Sequence, residues 1–402
     1  MAKRQVRPKP KDDRKWTVMV FMGADTIENN APLDEAALAD IVEMKKVGSG
    51  GHLNIFAQVH GLGVPRRYHI GIDDGVEVPK DQQDPVGGRA LAHFIESSLM
   101  KVKHRRKDHS MLVLWGHAYD FALGRAPTRR GSIDALDFAE LRGVLLALQD
   151  KMLAWYGGRE RPKIDLLGFD ACDLASVEMA CQLHPFVDYL LGSQIGIPIP
   201  GWPYDRVLDR LQKPKDRLMY PAEAGSYVVR RFCESYKALS PVSLTLLDLA
   251  QTDELRARAE LLALTLASAI GEPYARERIA ELFSRSQTAE GKPYVDVADL
   301  CLNLVRESGD ALVIEAARAL GDFLASPRPP LVGCSQTGQG RPFVIEHGRN
   351  AGETARLNGV SLYAPHVVPN HDFDAVRCLY QNFVFAQETR WSGLVHTLAR
   401  LS

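Results

Sequence analysis

The 402-residue sequence has no long apolar run, no excess of charge of either sign and few cysteines. No stretch approaches the ~20 apolar residues of a membrane-spanning helix, so no membrane association is expected. With 49 basic against 50 acidic side chains the formal net charge is -1. Nothing global therefore points to nucleic acid or a membrane surface as a partner. A secretory leader needs an apolar stretch of roughly 7–15 residues and a small-residue cleavage site. The segment Trp16-Thr-Val-Met-Val-Phe-Met22 runs straight into Gly23-Ala-Asp25 and has neither. As written the chain reads as cytoplasmic, or as beginning after a removed segment. The cysteines, at 172, 181, 233, 301, 334 and 378, include no CxxC pair and no His/Cys metal spacing. They read as reduced thiols, mostly packed in the core, and no metal site is expected. No GxGxxG or GxxxxGK[ST] follows a strand, which argues against a flavodoxin-like nucleotide or cofactor binder.

What is present is an alternation of strand and helix signals. The first fifteen residues hold seven Lys or Arg, two Asp and two Pro, and residues 1–14 read as a basic disordered arm. Trp16 to Met22 is a short apolar run bounded by charge and glycine, the mark of a strand buried on both faces. Leu33, Ala37, Ile41, Met44 and Val47 recur at helical spacing until Gly48. Strands are predicted at Leu53–Val59, Tyr68–Ile72, Met111–Trp115, Ile164–Phe169 and Tyr189–Ser193. Helices are predicted around Leu91–Leu99, over Leu136–Leu148 and over Leu174–Leu183. The basic run Lys101–Lys107 reads as a solvated helix end. This order predicts a largely parallel sheet with helices on both faces. From about Tyr220 the texture turns helix-rich, with short strands at Ser243–Leu249, Leu331–Cys334 and Gly359–Tyr363. The chain divides on this reading into the arm, residues 15–245, and a C-terminal region 246–402 that packs on the sheet and extends it.

Ligands on such sheets sit beyond the carboxyl ends of strands, where both His117 and Cys172 fall. A thiol becomes a nucleophile when a base or a positive dipole favours its thiolate. Cys172 follows a strand and, with a helix starting near Leu174, lies at that helix's N-terminus. His117 ends another strand. Spacing alone leaves open that Cys172 is a packed core residue and His117 a turn residue.

The surrounding words carry more. Met111-Leu-Val-Leu-Trp-Gly-His117, Leu167-Gly-Phe-Asp-Ala-Cys-Asp-Leu-Ala-Ser-Val-Glu178, Tyr189-Leu-Leu-Gly-Ser-Gln194 and Pro200-Gly-Trp-Pro-Tyr204 resemble, in order and content, the clostripain family of cysteine peptidases. Lys15–Asp25 and Asn358–Pro365 match that family's first and a late strand, so the resemblance spans most of residues 15 to 395. It implies a caspase-like α/β fold and a cysteine endopeptidase with a His117–Cys172 dyad. The backbone N–H groups of Ala118 and Cys172 would form the oxyanion hole. It further implies that Asp170 pairs with a basic P1 side chain of a protein or peptide substrate, although Asp170 could instead cap the following helix. Ser193 and Gln194 would line the pocket wall, and Trp202 would offer an apolar surface for the substrate stem, although Trp202 and Tyr204 read equally as core residues. Self-processing would fall at Arg129 or Arg130, with Arg159–Lys163 as a second candidate. No cofactor is required on this reading, calcium dependence stays open, and oligomeric state is not legible.

One departure stands out. The family usually has glycine after the histidine, whereas this chain has Ala118, which resists positive φ. A catalytically weak pseudo-peptidase acting as a binding scaffold is therefore the alternative.

Overall fold

The computed structural model describes residues 12–24, 33–60, 65–77, 87–119, 122–124, 135–237, 240–288, 292–325, 342–350, 353–368 and 373–400. In chain order the strands are β1 (Trp16–Gly23), β2 (Leu53–His60), β3 (Arg66–His69), β4 (Asp73–Glu77), β5 (His109–Gly116), β6 (Ala118–Tyr119) and β7 (Ala122–Gly124). They continue with β8 (Ala135–Asp137), β9 (Ile164–Asp170), β10 (Val187–Gly192), β11 (Ser243–Asp248), β12 (Tyr294–Asp296), β13 (Val344–Arg349) and β14 (Ser361–Tyr363).

Nine strands form one sheet in the order β13-β11-β10-β9-β5-β1-β2-β3-β4. Its centre, β10 to β2, is parallel, and antiparallel strands extend both edges. The centre follows from composition: β1, β5 and β9 are near-continuous apolar runs, which parallel strands covered on both faces require. Side chains of β1 alternate between two cores. Val18, Val20 and Met22 face helices Asp34–Val47, Tyr204–Gln212 and Pro221–Ser235. Met19 and Phe21 face Gly88–Lys101 and the larger core that continues through the C-terminal helices to Leu398. Each buried Leu or Phe is worth ~1.5–3 kcal/mol, so β1, β5 and β9 form the most heavily protected layer.

The C-terminal region enters this sheet directly. β11 pairs with β10, and β13 pairs with β11. A separate two-stranded ladder joins β12 to β14. The predicted strand Leu331–Cys334 and most of the N-terminal arm lie outside the described residues. The last residues of the arm are pinned: Asp13 accepts from Arg105 and Lys107, and Arg14 lies over the Tyr220 ring. Arg105 and Lys107 of the basic run are thereby held in ion pairs, and Arg106 pairs with Glu160. No described helix is long and apolar enough to cross a membrane.

One helix start differs from expectation. The helix after Cys172 runs from Val177 to Leu183, not from Leu174, and Ser176 caps it by accepting the Met179 N–H. Residues 174–176 are drawn into extended backbone because Ala175 bonds Ser193 and Ser361 through its N–H and C=O. Cys172 thus stands five residues before the helix and gains no first-turn dipole.

Candidate active site

Two adjacent central strands deliver the chemistry. Trp115 of β5 is paired in register with Asp170 of β9. His117 and Cys172 each stand two residues further on, just past the ends of these neighbouring strands. A cleft at this edge is lined by Leu33, Trp115, Gly116, His117, Asp170, Ala171, Cys172, Ile197, Pro198, Ile199 and Gly201.

The turn into His117 depends on glycine. Gly116 has φ +145°, and a Cβ there would lie 2.8 Å from the Gly23 carbonyl oxygen. Ala118 then opens the β6–β7 hairpin, facing Leu123. Among the described residues only Lys103 and Asp173 are non-glycine residues with positive φ. Alanine in place of the family glycine therefore carries no left-handed strain. Burial lowers the pKa of His117, which favours the neutral, proton-accepting imidazole at neutral pH.

Cys172 is half-buried, and its Sγ accepts the Ile197 N–H at 3.3 Å. A donor aimed at sulfur stabilises the thiolate over the thiol. Asp173, immediately after it, adopts φ +60° and donates its N–H to the Ile195 carbonyl. Left-handed backbone at a non-glycine residue costs on the order of 1–3 kcal/mol and persists only where its surroundings enforce it.

Asp170 is 4% exposed. Its Oδ2 accepts the Trp202 N–H and the Tyr204 hydroxyl, each at 3.0 Å. Its Oδ1 has no hydrogen-bond partner among the described residues. Desolvation raises its pKa from 3.8 to about 7, against the lowering effect of those two donors. The Gly201 turn closes over it: φ there is +63°, and a Cβ would sit 2.7 Å from Oδ2. Asp170 caps no helix, since Ser176 does so.

The other expected pocket residues lie elsewhere. Ser193 and Gln194 are fully buried. The Gln194 amide donates to Asp296 and Ser361 and accepts the Gly359 N–H. Trp202 is 1% exposed, with its ring packed on Gly168 of β9. None of the three lines the cleft; they support its walls from behind. Arg129 and Arg130 fall outside the described residues, between Gly124 and Ala135, which pair across β7 and β8. Of the second candidate stretch, Arg161 and Lys163 are engaged with Gln149 and the His184 carbonyl. No cluster of three or more His, Cys, Asp or Glu side chains among the described residues is placed to hold a metal ion.

Sequence reasoning missed Asp40. It is 3% exposed, between Ala37 and Ile41 on the buried stripe of its helix. Its pKa rises to about 9, from burial first and then from the charges of Asp170 and Glu43. A carboxylate inside an apolar stripe was the available signal.

The clostripain family's sequence model matches residues 20–313, which include His117, Asp170 and Cys172. The chain belongs to the clostripain family. It is a cysteine peptidase with a caspase-like fold. Among solved structures, an inactive zymogen C11 protease from Parabacteroides distasonis aligns with TM-score 0.59 and 15% identity, over 96% of this chain and 99% of that one. A secreted C11 cysteine protease from Bacteroides thetaiotaomicron, bound to an irreversible peptide inhibitor, aligns with TM-score 0.60 and 17% identity, over 95% and 99%. At these identities the likeness speaks for the fold. No curated protein matches the chain.

Proposed function

We propose that this clostripain-family peptidase is an endopeptidase that cleaves after Arg or Lys, with Cys172 as nucleophile and His117 as acid–base partner. The observation that carries the reading is that His117, Cys172 and Asp170 line one cleft at the ends of paired strands. His117 takes the thiol proton, and Sγ attacks the scissile carbonyl carbon. The oxyanion develops against the N–H groups of Cys172 and Ala118. His117 then protonates the departing amine, leaving a thioester that water hydrolyses, with His117 as base.

Asp170 supplies the selectivity. A buried carboxylate oxygen without a donor is an unmet demand that a guanidinium or ammonium satisfies, and a neutral P1 side chain leaves it unmet. The exposed side chain of Ile199, with Leu33 and Ile197, gives the rim an apolar character suited to neighbouring substrate residues. The chemistry uses only these groups and water. Activity unchanged by EDTA supports that statement, and loss of activity restored by calcium assigns calcium a role.

Self-processing belongs to the same proposal. Arg129 and Arg130 lie in the connection between β7 and β8, which starts eight residues after His117, and they carry the side chain that Asp170 selects.

Reporter peptides with Arg, Lys or Asp at P1 test the reading beside Cys172→Ala and His117→Ala. Turnover confined to Arg and Lys, abolished in both folded variants, supports it. No turnover with any peptide would favour the binding scaffold, and turnover by either variant would overturn the dyad.

A further inference from the structure

The fully buried polar side chains around the C-terminal ladder raise a question that the dyad leaves open, namely what holds the loop over the sulfur. That loop is Ser193–Ile197, directly after β10. Its backbone grips the nucleophile segment at three points. Ser193 C=O accepts the Ala175 N–H, Ile195 C=O accepts the Asp173 N–H, and the Ile197 N–H reaches Cys172 Sγ. The Ile195 side chain packs in the larger core, but none of these three bonds itself reaches the C-terminal region.

Gln194 does. Its Nε2 donates to Asp296 Oδ2 at 2.9 Å and to Ser361 Oγ at 3.1 Å, and its Oε1 accepts the Gly359 N–H at 2.6 Å. Gln194 is 0% and Asp296 1% exposed, so water offers no substitute. Asp296 is itself immobilised. It caps helix Val297–Glu307 through the Asp299 N–H and accepts the Asn358 N–H and side-chain amide. Ser361 closes the circuit, since its N–H bonds the Ala175 carbonyl. Every fixed end of this network belongs to the C-terminal region, between 102 and 167 residues beyond Gln194.

We propose that Gln194, held by Asp296, Ser361 and Gly359, is a positioning residue that keeps the Ile197 N–H on Cys172 Sγ and so couples the C-terminal region to the nucleophile. This rests on Cys172 being the nucleophile. The role differs from that of a pocket-wall residue: Gln194 touches no substrate and acts through the two loops it joins. A packing role alone would lower stability without changing sulfur chemistry, whereas a positioning role changes thiolate formation and kcat.

Gln194→Glu separates the two. The side chain keeps its shape, loses the Nε2 donor and places a second carboxyl against Asp296. The readouts on the full chain are kcat and KM for an Arg-P1 peptide, a melting curve, and the pH profile of iodoacetamide alkylation. Alkylation is followed by mass spectrometry at the Cys172 peptide, because Cys378 is the more exposed thiol. The expected result is a folded protein whose kcat falls ~10–100-fold with KM within ~3-fold, as a displaced reacting atom causes. Its Cys172 alkylation profile moves to higher pH. In the double variant Gln194→Glu/Asp296→Asn an amide again faces a carboxyl, and kcat and profile move back toward wild type. A folded Gln194→Glu protein with wild-type kcat and alkylation profile overturns the inference. Should that variant fail to fold, Asp296→Asn alone, which keeps an acceptor oxygen but removes the charge, is read the same way. A Cys172→Ala protein that retains turnover would instead sink the nucleophile assignment, independently of either Gln194 result.

Discussion

Asp170→Asn removes one charge and almost no volume, which makes it the sharpest test of the cleft. The wild-type carboxyl ionises near pH 7 in the folded protein because burial penalises the charge, against 3.8 ordinarily. At ~1.4 kcal/mol per tenfold, that gap corresponds to roughly 4 kcal/mol. The sign follows from proton counting. Between pH 3.8 and 7 the folded state holds a proton that the unfolded chain has released, so this group's contribution to stability declines as pH rises through that window. Above pH 7 the cost is complete. Asparagine has no such cost, although its amide nitrogen replaces an oxygen that has no donor and finds no acceptor there, at about 1–3 kcal/mol. The melting temperature of Asp170→Asn relative to wild type should therefore climb from pH 4 to pH 8. Catalysis moves the other way. A P1 guanidinium loses its charge partner, at ~2–5 kcal/mol, or roughly 30-fold to several thousandfold in kcat/KM. Cleavage of a peptide with neutral P1, and alkylation of Cys172, should change little. The assay is a set of melting curves across pH beside kcat/KM for Arg and norleucine at P1. A stability difference flat in pH refutes the buried-charge argument, and equal losses for both peptides refute the pocket role.

Burial also depresses the His117 pKa, so the neutral base survives as pH falls. With a neutral-P1 substrate the acid limb of kcat/KM should lie below pH 6.5, and a midpoint above that value contradicts the burial argument. Gly116→Ala places a Cβ against the Gly23 carbonyl at φ +145°; about 2 kcal/mol of stability and most activity should be lost, as measured by melting and turnover. Active wild-type protein should yield two fragments of roughly one third and two thirds of the mass that stay associated, while Cys172→Ala stays whole. Full activity in a chain that mass spectrometry finds uncut would refute processing at Arg130.

Much of the site was legible because its elements are local. Met111–Trp115 and Ile164–Phe169 are apolar runs that end at His117 and just before Cys172, and their alternation with helices leaves few topologies for a parallel sheet. What escaped depends on partners far along the chain. Leu174–Ser176 carry a helical pattern, yet Ser193 and Ser361 draw their backbone into extended pairing. The buried anchoring of Gln194 is invisible without Asp296, 102 residues away. β13 was unread for another reason: Val-Ile-Glu-His-Gly-Arg is a half-exposed edge strand with no continuous apolar run.

The antiparallel extension of the sheet bears on how this enzyme can be handled. Cutting the chain before β11 would leave β10 as a bare edge, with the backbone groups of Tyr189–Gly192 open to another chain. It would also strip the larger core of its C-terminal helices, uncovering Leu183, Leu190 and their neighbours. A shortened catalytic fragment would therefore be sticky before it was inactive, and loss of function on truncation would report self-association rather than a missing catalytic group.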